Sequence, residues 1–126
     1  MSEGLRRDGV RFTPPVVSIT VAATSTAIYT FPTVPVGSSG TSVMIRKINA
    51  TNRNAAIVYL VFGETIAAVW TPRLVPYTLN LNQDFELEER MIPNFEFFSA
   101  VQARASAAAV DPNDVLVSIE VEIFES

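Results

Sequence analysis

Hydrophobic and polar positions alternate most cleanly near the C-terminal end of the chain, where Val115, Val117, Ile119, Val121 and Ile123 interleave with Leu116, Ser118, Glu120, Glu122 and Phe124. A period of two held over these ten residues predicts a β-strand with one apolar face, because successive side chains of an extended backbone project to opposite sides. The other face carries Glu120 and Glu122 between Leu116 and Phe124, a mixed strip suited to a neighbouring surface.

The same reading extends backwards through a series of short β-like runs separated by turn residues, with no window of helical period long enough for a helix. Val16 to Ala22 places Val17, Ile19 and Val21 on one face, and Thr26 to Phe31 follows, closed by Pro32 and the Pro- and Gly-punctuated segment 33–40. In Thr41 to Ala50 the apolar positions change phase, from Val43 and Ile45 to Ile48 and Ala50, which predicts a β-bulge near Arg46-Lys47. A turn over Thr51 to Asn54 leads into the most apolar run, Ala55 to Phe62, which Gly63 is expected to close.

Thr65 to Trp70 reads as a further strand, Thr78 to Leu81 with Phe85 to Leu87 as a broken one, and Phe95 to Ala105 as one strand after the Pro93-Asn94 turn. Asp111-Pro112-Asn113-Asp114 has turn chemistry before the final strand. The whole predicts an all-β chain: a single antiparallel β-sandwich of about eight strands, jelly-roll-like, over residues 16–126. Residues 1–15 read as an extended N-terminal arm, or equally as a frayed terminus, with Arg6, Arg7 and Arg11 among apolar points Leu5, Val10 and Phe12, ended by Pro14-Pro15.

Composition narrows what such a sandwich does. At 126 residues the chain is one domain, able to bury roughly two thirds of its unfolded surface without a metal or disulfide. Apolar residues make up 48% and charged ones 17%, a surplus that points to a buried subunit interface. There is no cysteine and no histidine, so thiol nucleophiles, zinc-thiolate sites and the commonest general base are excluded. No apolar run approaches the about 18 residues of a membrane span, and no signal peptide is evident, so the expectation is synthesis in the cytoplasm and no membrane partner.

Charge is uneven. Residues 1–83 carry seven basic groups against three acidic ones (+4), and residues 84–126 carry two against ten (−8), for a net −4. An acidic whole argues against a nucleic-acid partner, whereas head-to-tail complementarity between copies remains open.

Candidate chemistry is sparse. Asp84, Glu86 and Glu88, with Glu89, could hold Ca²⁺ or act as an acid/base pair, but Phe85 and Leu87 between them make an ordinary half-buried strand, and edge carboxylates also block strand pairing. Asp111 to Asp114 is better explained as a turn, the sequon Asn49-Ala50-Thr51 has no secretory context, and no hydroxyl has a base to activate it. No catalytic residue, cofactor or metal ligand is expected. Phe97 and Phe98 are adjacent, so one of them must point away from the core, an interface anchor. The partner-binding candidates are therefore Leu5, Arg6, Arg7, Arg11, Phe12, Phe97, Phe98, Glu120 and Glu122.

Three features make residues 16–126 resemble the small jelly-roll structural proteins of tailed bacteriophages, the decoration or cement proteins and their capsid and adaptor relatives. They are the Val-Pro-Val-Gly-Ser-Ser-Gly loop feeding Val43 to Ile48 and then Asn49 to Asn54, the acidic strand ending in Met91-Ile92-Pro93-Asn94, and the alanine-rich Ala100 to Ala109 leading to the closing alternating strand. The resemblance implies a non-enzymatic virion protein on the capsid surface, a homotrimer that binds the major capsid protein or another virion protein through its arm and loops. Similar sandwiches also serve as carbohydrate- or receptor-binding modules, and fold alone does not choose.

Overall fold

The computed structural model describes residues 9–30, 41–108 and 113–125. Its strands are β1 (Val10–Phe12), β2 (Val17–Ile19), β3 (Thr26–Thr30), β4 (Thr41–Asn52), β5 (Val58–Ile66), β6 (Val69–Pro72), β7 (Tyr77–Leu79), β8 (Asp84–Leu87), β9 (Glu96–Phe97), β10 (Ala100–Ala105) and β11 (Val115–Glu125), with a 3-10 turn at Glu89–Met91.

Several short strands lie end to end against one long neighbour. β1 and β2 pair with β11 at its residues 121–123 and 115–117, β8 and β9 pair with β4, and β6 and β7 pair with β5. Counting each such couple as one row leaves eight rows in two sheets. The first sheet runs β1/β2, β11, β4, β8/β9, and the second runs β3, β10, β5, β6/β7. Every link between successive rows crosses from one sheet to the other except the β5–β6 hairpin, which is the winding of a jelly roll. The expected all-β sandwich of about eight strands is the observed architecture.

Alternation builds the core. Val115, Val117, Ile119 and Val121 of β11 face Val58, Leu60 and Phe62 of β5 and Val101, Ala103 and Ala105 of β10 across the sandwich, all buried. The bulge lies where the phase change placed it. Lys47 pairs with Glu120 and Ile45 with Val121, so Arg46 is the extra residue on β4, and Ile45 and Ile48 are both buried while Arg46 and Lys47 between them face outward.

Five local expectations are corrected. The first strand stops at Ile19 and leaves Val21 exposed, the backbone turning through Ala23 in the left-handed region. Gly63 does not close β5, which continues to Ile66; a Cβ there would lie 2.5 Å from the Thr71 carbonyl oxygen and 2.8 Å from the Trp70 ring, so glycine is what lets β6 cross this position. Thr65 to Trp70 is a hairpin tip rather than a strand, turning at Ala67 and Ala68, both with positive φ. Phe95 to Ala105 is two strands in different sheets, β9 against β4 and β10 between β3 and β5, parted at Phe98-Ser99. The broken strand at 78–87 is likewise β7 in one sheet and β8 in the other. Leu5, Arg6, Arg7, the 33–40 loop, Asp111 and Pro112 lie outside the described residues.

Candidate interaction surfaces

The two outer faces of the sandwich differ in chemistry. Strands of the first sheet carry Arg11, Arg46, Lys47, Asp84, Glu86, Glu96, Glu120, Glu122 and Glu125, whereas those of the second carry only Glu64, which points inward, and Arg104.

On the charged face the sequence candidates Arg11, Glu120 and Glu122 come together within one chain. Antiparallel pairing sets Arg11 opposite Glu122. The Arg11 guanidinium lies 2.8 Å from Glu89, 3.3 Å from Glu120 and 3.8 Å from Glu122. Arg46 donates from Nε to Glu122 at 2.7 Å and from a terminal nitrogen to Asn94 Oδ1 at 2.9 Å. The Gly9 N–H completes the set, donating to Glu122 at 3.1 Å. The hydrogen bond from Arg11 holds the Glu89 carboxyl below its ordinary range, and reciprocally Arg11 is raised chiefly by Glu89, partly offset by burial. Arg11 and Glu89 are about half exposed, so their pair contributes little to stability. Glu122 and Arg46 are mostly buried, and this pair fixes the carboxylate in place.

On the other face Tyr59, Val61, Pro76 and Thr78 border a shallow, mainly apolar groove of about 570 Å³, with Arg104 at its rim. Arg104 lies over one face of the Trp70 ring at 4.4 Å and donates to Ser25 Oγ, so the cation is turned along the sheet. Of the paired phenylalanines, Phe97 is buried and Phe98 is 61% exposed, as their adjacency required. Phe12, at the edge of the first sheet, packs its ring 5.9 Å from Tyr29 at the edge of the second and closes that side of the sandwich.

The acidic strand gives a shallow recess lined by Asn49, Thr51, Asp84, Phe85 and Glu86, with Asp84 accepting from Thr51 Oγ1 at 2.8 Å. Among the described residues no three acidic groups converge as a metal site would require, and no helix is long and apolar enough to cross a membrane.

Three buried polar residues have roles that the sequence did not assign. Glu64 is wholly buried: one carboxylate oxygen accepts from Phe98 N, Ser99 N and Ser99 Oγ, the other from Arg73 at 2.6 Å. Burial alone would raise this carboxyl, but the bonds from Phe98, Arg73 and Ser99 outweigh it and hold it below its usual range. With its oxygens engaged and no exposure, Glu64 is a pin for the 98–99 bend and not a reactive acid. At the opposite end Asp114 accepts from Ser18 Oγ and from Arg53, which reaches it at 2.6 Å, while Asn52 ties Ala56, Leu79 and Asn54 together. Glu64 did have a signal, being the one acid on the inward phase of the most apolar strand. No protein-family model and no curated protein matches this chain.

Proposed function

We propose that the chain is a non-enzymatic structural protein of a virion, a decoration or cement protein that self-associates as a homotrimer on a capsid and adds interface between capsid subunits. The observation that carries the reading is the division of the sandwich into a charged face and a nearly uncharged one. The second has Tyr59 about half exposed around an open groove at one end, and Phe98 is exposed at the bend that Glu64 holds toward the other. Such apolar exposure suits burial against other subunits. The Arg46–Glu122, Arg73–Glu64 and Arg53–Asp114 pairs join distant parts of the chain, which suits a structural role for these charges.

Two measurements test the reading. Sedimentation velocity at micromolar concentration should show an oligomer, and the protein should co-sediment with capsids of the encoding phage prepared without it. A monomer that leaves such capsids unbound would remove the proposal. The competing carbohydrate-binding reading needs an aromatic platform; Trp70 carries Arg104 on one face, and the proposal assigns Tyr59 and Phe98 to contacts between subunits, so a glycan array is expected to give no signal, and binding lost in Tyr59→Ala would favour the competing reading.

A further inference from the structure

We propose that β1 is an exchangeable strand: residues 9–12 of one copy take, on a second copy, the edge of β11 that they occupy here on their own. The inference concerns how copies join and does not rest on the particle reading.

The receiving edge is built before β1 arrives. Arg46 holds the Glu122 carboxylate from the β4 side, Lys47 is the register partner of Glu120, and Glu89 stands beside them, so the edge presents three carboxylates against two resident cations and keeps a net negative charge. The strand that fits it needs a cation at one position, which Arg11 supplies. It also needs a residue without a side chain two positions earlier, since a Cβ on Gly9 would lie 2.3 Å from Glu122 Cγ. Gly-Val-Arg-Phe of this chain meets both requirements, and charge complementarity makes a second copy the natural donor.

The strand is also separable from the body. Val10, Arg11 and Phe12 are all exposed and none of them belongs to the buried core; beyond the ladder with β11, the strand is held by the Arg11 ion pairs and the Phe12–Tyr29 ring contact at the sandwich edge. Between β1 and β2 the prolines Pro14 and Pro15 donate no N–H, and the pairing along this edge of β11 lapses between Val117 and Val121. Pro14 is itself buried, so the body begins there and Thr13 is the pivot. Every contact that β1 gives up on opening is remade on the neighbour, so closed and exchanged forms differ mainly through the effective concentration that the tether imposes. Because each copy carries both the donor strand and the receiving edge, exchange is either reciprocal between two copies or passes head to tail from one copy to the next.

The absence of cysteine makes the test direct. Val10 and Ile123 are register partners across β1 and β11. A full-length V10C protein is mixed at high concentration with a size-tagged I123C protein and oxidised, and mixed dimers are read on a non-reducing gel. The control partner carries A55C in an exposed loop. Exchange predicts that the V10C–I123C dimer forms several-fold faster than the V10C–A55C dimer, and that adding Arg11→Glu to the V10C chain removes the advantage. The double variant V10C/I123C serves as reference. If it closes fully within single chains while the mixed pair forms no faster than the control, β1 does not leave its own body and the proposal fails. If neither crosslink forms, the docking edge itself is wrong and the proposal fails with it.

Discussion

Tyr77 and Glu64 are both polar groups between the sheets, with opposite consequences. The Tyr77 ring bridges Phe62 of one sheet and Phe85 of the other, at 6.4 and 5.5 Å, and its buried hydroxyl finds no hydrogen-bond partner among the described residues. Burial raises that phenol above its ordinary 10.0. Tyr77→Phe keeps the packing and removes the unserved group, so it should raise stability by about 1 kcal/mol, read as a higher urea midpoint at unchanged slope. Glu64→Gln should cost about 2–4 kcal/mol on the same measurement, since it loses the charge that Arg73 and two backbone N–H groups were arranged to meet. The pH dependence follows from the lowered carboxyls of Glu64 and Asp114. Each binds its proton more weakly in the folded chain than in the unfolded one, whose values are near 4.5 and 3.8, so their contribution is complete at neutral pH. It is lost as pH falls below those values, and Glu64→Gln should flatten that acid limb. The phase of β5 puts Glu64 inward only once the strand is seen to continue past Gly63, where the sequence reading ended it, and nothing local announced the bend it holds, because the backbone N–H groups it accepts from lie 34 and 35 residues away.

At the scale of elements, legibility depended on whether a local rule or a distant contact set the boundary. The bulge at Arg46 was readable because it shifts the apolar phase within one strand. The split between β9 and β10 was not, since Phe97 and Val101 keep the same parity across the bend and only the Glu64 pin reveals that the chain has changed sheets. The β5–β6 hairpin was missed for a different reason: its two-residue turn uses Ala67 and Ala68 at φ 52° and 66°, where Asn-Gly is the expected chemistry. A left-handed alanine costs roughly 1–2 kcal/mol. Replacing the pair with Asn-Gly should therefore stabilise the protein by about 1–2 kcal/mol, allowing for the greater freedom of glycine when unfolded, and raise the thermal midpoint in calorimetry.

For the whole molecule, the strand periods were enough to predict the sandwich and its number of rows, because both follow from alternation and turn spacing. The division into a charged and a nearly uncharged face was not legible, since it depends on which rows share a sheet: the charged strands β4, β8, β9 and β11 are brought together by the winding, not by proximity in the chain. The candidate Phe98 was identifiable from adjacency, while the role of Glu120 and Glu122 changed once Arg11 was found beside them in the same chain. If the exposed aromatics mediate self-association, Phe98→Ser should shift the sedimentation profile toward monomer, with a thermal midpoint within a few degrees of the parent, because an exposed side chain contributes little to the core.

β11 follows every other described strand in the chain yet is an inner strand of its sheet, with β1 and β2 along one edge and β4 along the other. A nascent chain therefore holds β1 and β4 without the element that joins them until residues 115–125 have emerged from the ribosome. The second sheet can assemble earlier, since β3, β5, β6, β7 and β10 all precede β11. The first sheet is thus expected to close only once β11 is free to pair, with refolding in milliseconds to seconds as is usual for sandwiches dominated by distant pairings. A ribosome-bound chain in which residues before 115 are exposed and β11 is not should display protease-sensitive β1, β2 and β4, and protection should appear once residues 115–125 are outside the exit tunnel.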